Sequence, residues 1–101
     1  MTAEELADRL EGGAIVSLTA AEWASVSAAF QEVARHPTYL AGDLVLVRGA
    51  GGLVAVEEPS SEERVLRRLG DEDQARLFVQ DRLETYERMW DGCGCKVDYY
   101  A

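Results

Sequence analysis

The segment from Asp71 to Trp90 is the sequence feature that most constrains how this chain can fold. Its apolar residues recur every three or four positions, a spacing that places them on one face of an α-helix. The residues on that face are Ala75, Phe78, Val79, Leu83, Tyr86, Met89 and Trp90. Asp71 can cap the first turn, and Gly92 can end the last turn because glycine adopts positive φ without a Cβ penalty. A long helix with one apolar face needs a second layer to pack against.

Arg82 lies inside this apolar face. Two interpretations stay open: its stem packs while its guanidinium reaches water, or the guanidinium is partly buried and binds a carboxylate of this chain or of a partner. We therefore take Arg82 as a candidate interaction residue. The aromatic residues of the C-terminal segment, Trp90, Tyr99 and Tyr100, complete that candidate set.

The N-terminal residues predict a short helix over Met1–Glu11. Thr2 and Glu5 have the spacing of a capping box, in which each side chain bonds the backbone N–H of the other residue. The glycine pair at 12–13 then ends the helix. The apolar run over residues 14–18 predicts a bridging strand or an extended connector that leads directly into the next helix.

A second capping box, Thr19 with Glu22, begins the second predicted helix. Its apolar residues follow helical spacing and are Trp23, Val26, Ala29, Phe30 and Val33. We expect this helix to continue to about Arg35. His36 precedes Pro37, and a residue before proline is pushed out of the α region, so the helix must stop there.

The hydrophobic period changes in the middle of the chain. Asp43–Arg48 and Leu53–Glu57 are rich in aliphatic residues and flank a glycine-rich loop, so they predict a β-hairpin. Residues 60–70 are ambiguous: Ser60 and Glu63 have capping-box spacing, whereas the apolar positions alternate as in a strand. We predict a third strand here, because a lone hairpin is only marginally stable.

These elements predict a single α+β domain over residues 1–101. The expected order is two N-terminal helices, a small antiparallel β-meander of two to three strands, a long C-terminal helix, and an irregular tail over residues 91–101 that contains both cysteines. We expect all the helices to pack on one face of the sheet.

The charge of the chain limits its partners. The 19 acidic and 10 basic residues give a net charge of −9, which disfavours nucleic acid and anionic membranes through repulsion. No apolar run approaches the ~18 residues that span a bilayer, and the acidic N-terminal residues are unlike a secretory signal. We therefore expect a cytoplasmic protein that binds a protein partner or forms a homo-oligomer, with no nucleic-acid or membrane role.

The C-terminal tail concentrates side chains that bind metals. One glycine separates Cys93 from Cys95, and Asp91 and Asp98 flank the pair. Sulfur ligands select Zn²⁺ or Cu(I) over Mg²⁺ or Ca²⁺. A structural zinc site needs four ligands and the thiols supply only two, so the aspartates, His36 or a second protein must supply the rest. We expect a soft-metal site, with zinc as its metal.

Two other interpretations of the same thiols stay open. The protein can be a thiol-disulfide redox protein or sensor that uses Cys93 and Cys95, or an interaction module whose cysteines only pack as small apolar side chains. The pair follows a helix C-terminus and lies between aspartates, which disfavours a reactive thiolate. The sequence also lacks Ser-His-Asp spacing and a dinucleotide-binding fingerprint. We therefore favour a non-enzymatic binding or accessory protein.

Overall fold

A computed structural model describes residues 1–38, 42–50 and 52–92, the last four of these by their backbone only. In chain order its elements are α1 (Ala3–Glu11), β1 (Val16–Thr19), α2 (Ala20–Val26), a 3₁₀ turn (Ser27–Ala29), β2 (Gln31–His36), β3 (Leu44–Gly49), β4 (Gly52–Glu57), β5 (Glu63–Arg68) and α3 (Glu72–Gly92). The strands form one sheet in the order β1-β5-β4-β3-β2, and all neighbours are antiparallel. The α+β class is confirmed. The prediction of two to three strands is wrong, since the described residues form five.

The second predicted helix is much shorter than expected. It ends at Val26, a single 3₁₀ turn follows, and the chain then becomes extended at Phe30 and continues as β2. β2 pairs with β3 from Gln31 opposite Arg48 to His36 opposite Leu44. The helical spacing of the apolar residues in this segment therefore misled the prediction, because pairing with a distant strand overrides local propensity.

The expectation that all helices share one face of the sheet is also wrong. α1 and α2 cover one face, in a core of Leu6, Leu10, Val16, Leu18, Val26, Val45, Val47, Val54, Val56 and Leu66. α3 covers the other face, in a core of Leu44, Leu46, Leu53, Ala55, Leu69, Ala75 and Val79. Successive strand residues point to opposite faces of the sheet, and β3 and β4 carry apolar residues on both faces. Their continuous apolar runs are the signature of burial on both sides.

Other local predictions are confirmed, that of the α1 capping box for one of its two hydrogen bonds. In α1 the Glu5 N–H donates to Thr2 Oγ1 at 3.1 Å. At α2 the capping box is complete: the Glu22 N–H donates to Thr19 Oγ1 at 3.1 Å, and the Thr19 N–H donates to Glu22 Oε1 at 2.9 Å. Residues 63–68 form a strand, as predicted over the helical alternative. These signals lie within a few residues of each other, which is why the sequence alone carries them.

The apolar face predicted for α3 is confirmed for the side chains that the structure describes. Ala75 and Val79 are buried, and Phe78, Leu83 and Tyr86 are half-buried. Within the described part of the chain, no helix combines the length and apolar character needed to cross a membrane.

Candidate functional site

α3 covers only part of its face of the sheet. Five strands spaced by about 4.8 Å span roughly 20 Å, whereas a helix with its side chains is about 10–12 Å across. α3 packs mainly over β4, the middle strand. Two flanks of the sheet therefore remain beside it, one over β2 and β3 and the other over β5 and β1.

The β2 flank is an apolar groove of about 540 Å³. Its floor is formed by the buried Leu46 and Leu53 of the sheet, and the buried Ala75 and Val79 line it from α3. Val33 of β2 and Leu83 of α3 form its two walls, and His36 also lines it. We call this surface the α3–β2 groove.

A β-bulge places Val33 in the α3–β2 groove. Glu32 pairs with Val47 and Ala34 pairs with Leu46, so Val33 is the extra residue on β2. Such a bulge re-aims a side chain without ending the strand. Val33 and Ala34 both lie on the α3 side, and the Val33 side chain is 50% exposed. The wall of the groove therefore depends on an irregularity of the edge strand.

Charged residues lie at the end of the groove near the start of α3. Arg48 lies 3.6 Å from Glu72, and Arg76 lies 3.5 Å from Asp73, measured between nitrogen and oxygen atoms. All four side chains are well exposed, so these pairs contribute little stability. They leave this end of the groove with balanced charge.

The β5 flank of α3 is polar and differs sharply from the groove. The guanidinium carbons of Arg67 and Arg82 lie 5.3 and 5.2 Å from the centre of the Phe78 ring. Arg82 Nε lies 3.6 Å from Glu57 Oε2, and the Tyr86 hydroxyl donates a hydrogen bond to the same oxygen. We call these five residues the arginine cluster.

The arginine cluster is partly removed from water. Burial raises the pKa of Tyr86 to about 12, helped by its hydrogen bond to Glu57 and by the negative charge of that carboxylate. Within the described residues, Arg67 Nε and Arg82 Nε are buried atoms without a hydrogen-bond partner. Unpaired buried polar atoms are uncommon in folded proteins, so the arginine cluster is a candidate functional site.

Of the predicted site residues, the structure describes the side chains of Arg82 and His36, and these two lie on opposite flanks of α3. Arg82 meets a carboxylate of its own chain, which corresponds to the second of the two interpretations open for it. His36 ends β2 and lines the groove. The side chains of Trp90 and Asp91 lie outside the described part, as do Cys93, Cys95, Asp98, Tyr99 and Tyr100 in full. Among the described side chains, no group of three or more His, Cys, Asp or Glu could hold a metal ion.

The sequence prediction missed the groove and most of the arginine cluster. Helical spacing predicts a helix at Val33, so the sequence gives no sign of its position on an edge strand. Glu57 and Arg67 belong to predicted strands, but it is the pairing register of β4 and β5 that brings them to the same part of the sheet. Glu57 pairs with Val65, and Arg67 follows Val65 by two residues on the same face. The continuous apolar runs in β3 and β4 were the one sequence signal for a second covered face.

Comparisons with protein-family models, with curated proteins and with solved structures found no match. The described residues therefore define the class of protein by geometry: an α+β protein with one five-stranded antiparallel sheet, helices on both faces, and an open apolar groove beside the last helix.

Proposed function

We propose that the protein is a non-enzymatic binding protein of the cytoplasm, and that the α3–β2 groove holds an amphipathic helix of a basic partner protein. The observation that carries the proposal is the contrast between the two flanks of α3. Beyond the arginine cluster, the β5 flank ends at β1, whose residues Ser17 and Thr19 are exposed and polar and can hydrogen-bond to water. The β2 flank ends instead in exposed Val33, above a buried apolar floor. An apolar surface with a polar rim is typical of an interaction site.

The shape of the groove suits a helix. Among the described elements, α1 and α2 together cover the opposite face of the sheet, whereas α3 is the only helix on its own face. The space between α3 and β2 runs along α3 for about three turns, from Glu72 to Leu83. Apolar side chains at helical spacing on a partner fit such a groove, which is the helix-in-groove mode of recognition.

Charge favours a basic partner over a second copy of this chain. Glu84 and Glu87 continue the groove-lining positions of α3 by one turn, because they follow Gln80 and Leu83 by four residues. The chain as a whole carries a net charge of −9, so two copies repel each other while a cationic helix is attracted.

A peptide experiment tests this proposal. The probe is a fluorescent helical peptide of leucine and lysine with one apolar face, and the readout is its anisotropy upon titration with the full chain. We expect saturable binding that is weakened roughly 10-fold by Val33→Asn, since the substitution removes an apolar wall of the groove. Ile15→Asn is the matched control, because Ile15 is a β-branched residue, 57% exposed, and outside the groove.

Several outcomes contradict the proposal. Equal affinity for the wild type and for both asparagine variants means that the peptide binds by charge alone. If a peptide with glutamate in place of lysine binds equally well, the partner is not a basic helix. Sedimentation that shows a dimer lost in Val33→Asn and retained in Ile15→Asn assigns the groove to a second copy of the chain instead.

A soft-metal site is the second candidate function, with Cys93 and Cys95 holding zinc or Cu(I). One observation favours the participation of His36. His36 pairs with Leu44, Leu44 pairs with Glu57, and Glu57 contacts Arg82 and Tyr86 of α3. The second half of α3, which leads to the cysteines, is therefore at the same end of the sheet as His36.

Zinc titration of the reduced, full-length chain tests this second candidate. Binding is expected to release protons as the thiols ionise. Cys93→Ser and Cys95→Ser should each abolish it, whereas Asp98→Asn should weaken it less. Because two sulfurs leave the zinc short of ligands, we expect either a loss of affinity in His36→Gln or two chains per zinc. Protein that instead becomes two mass units lighter in air and yields a Cys93–Cys95 peptide supports the redox alternative.

A further inference from the structure

The arginine cluster has more positive than negative charge, in a protein that is strongly acidic overall. Its five residues include two guanidinium groups, of Arg67 and Arg82, and a single carboxylate, that of Glu57. Glu57 Oε2 already accepts the Tyr86 hydroxyl and lies near Arg82 Nε. Within the described residues, no carboxylate forms an ion pair with Arg67. The cluster therefore has one cation in excess.

This excess cation is held in a partly desolvated place. Arg67 is half-buried against the Phe78 ring, and its Nε is a buried atom with no hydrogen-bond partner. A cation that has lost part of its hydration without gaining a counter-ion is destabilised. An anion that reaches the remaining N–H groups of the guanidinium would offset that loss, and a guanidinium fork matches the paired oxygens of a carboxylate or phosphate.

The approach to the cluster is open on the side of β1. β5 pairs with β1, whose residues on the α3 face, Ser17 and Thr19, are exposed. Among the described elements, no helix covers this part of the sheet, because the only helix on this face packs mainly over β4. A small anion can therefore reach Arg67 from solvent without moving α3.

We propose that Arg67 and Arg82 form a binding site for an oxyanion, carboxylate or phosphate, on the β5 flank of α3. The site is separate from the α3–β2 groove, which lies on the opposite flank of the same helix. The Phe78 ring contacts both guanidinium groups and Glu57 also contacts Arg82, so the anion meets cations that have already lost side-chain entropy. A protein with a net charge of −9 otherwise repels such a ligand, which makes the local excess of positive charge specific to this place.

The test is a titration of the full ¹⁵N-labelled chain, at constant ionic strength, with inorganic phosphate in one arm and succinate in the other. The readout is the arginine Nε–Hε signals, assigned by single substitutions. We expect saturable shifts of the Arg67 and Arg82 signals in at least one arm, and no shift of Arg68. Binding in one arm only identifies the anion as phosphate or carboxylate, and either result supports the site.

Two variants decide whether Arg67 is responsible. Arg67→Gln is expected to weaken binding at least roughly 10-fold, which corresponds to the loss of a charge-assisted hydrogen bond. Arg68→Gln is the matched control, since Arg68 is exposed, adjacent in sequence, and directed to the opposite face of the sheet. Arg67→Lys keeps the charge and loses the fork, so we expect intermediate binding even if Arg67→Gln perturbs the fold. Absence of saturable shifts in both arms, or equal affinity of the two glutamine variants, overturns the proposal.

Discussion

Arg82 Nε lies 3.6 Å from Glu57 Oε2, and this contact joins α3 to the end of the central strand β4. The two side chains are only 27% and 13% exposed, so each has lost much of its hydration. Removing one member of such a pair leaves the other charge unpaired in a poorly hydrated place. The contact is also what distinguishes Arg82 from a surface arginine with a packed stem.

We predict that Glu57→Gln lowers the free energy of unfolding by about 1–3 kcal/mol, between the values typical of exposed and of fully buried pairs. Urea denaturation near neutral pH measures this loss. Glu32→Gln is the matched control, because Glu32 pairs with Arg35 at 2.6 Å where both side chains are exposed. That control should change the free energy by less than about 1 kcal/mol. Equal losses in both variants would show that burial of the Arg82–Glu57 pair has no energetic effect.

The Tyr86 hydroxyl gives a second prediction, on pH. Its pKa is raised to about 12 by burial and by Glu57, whereas an unfolded tyrosine titrates near 10. The neutral phenol is therefore favoured in the folded state. Its contribution to stability is fully present below about pH 10 and is lost as the pH rises through about 12.

Ultraviolet titration of the phenolates measures this shift. The sequence contains four tyrosines. We expect one of them to ionise about two pH units later than a model tyrosine, and Tyr86→Phe to remove that late step. A titration curve in which Tyr86→Phe removes a tyrosine with a pKa near 10 contradicts the described environment of the hydroxyl.

The two sides of α3 should respond differently to truncation. Phe78 is half-buried and in contact with Arg67 and Arg82, whereas Leu77 is 65% exposed on the outer side of the helix. Phe78→Ala should therefore lower the free energy of unfolding by about 2–4 kcal/mol, somewhat less than a fully buried phenylalanine. Leu77→Ala should change it by no more than about 0.5 kcal/mol. Chemical denaturation of both variants checks this, and comparable losses would mean that α3 is covered on its outer side.

Gly49 supplies a prediction on the opposite face of the sheet. A Cβ at this position would lie 2.5 Å from the Phe30 ring, which also packs against Trp23. Gly49→Ala must displace that ring and should lower the free energy of unfolding by about 1–3 kcal/mol. Gly12→Ala is the control, because a Cβ there meets no atom closer than 3.5 Å and φ is −74°. Thermal unfolding of the two variants should separate them, and equal midpoints would contradict the packing of Phe30 on Gly49.

The sequence predicted well wherever the deciding interactions are local. The caps of α1 and α2 involve residues three positions apart: the α2 capping box forms as predicted, and the α1 box forms with its bond from the Glu5 N–H to Thr2. The apolar face of α3 follows from its spacing, and the strands at 44–49, 52–57 and 63–68 follow from their aliphatic and alternating residues. In each case the pattern that specifies the element lies within one short segment of chain.

Tertiary structure alone decided the rest. Residues 31–36 have helical spacing, but their backbone groups find partners on β3, and the bulge at Val33 forms only in that pairing. The arginine cluster likewise joins β4, β5 and α3 through register and through the position of α3 across the sheet. Hydrogen bonds between strands and the choice of sheet face depend on residues far apart in the chain, so no local pattern specifies them. Those long-range interactions determine which residues line the groove and the arginine cluster. Local sequence patterns determine most of the helices and strands that carry these residues.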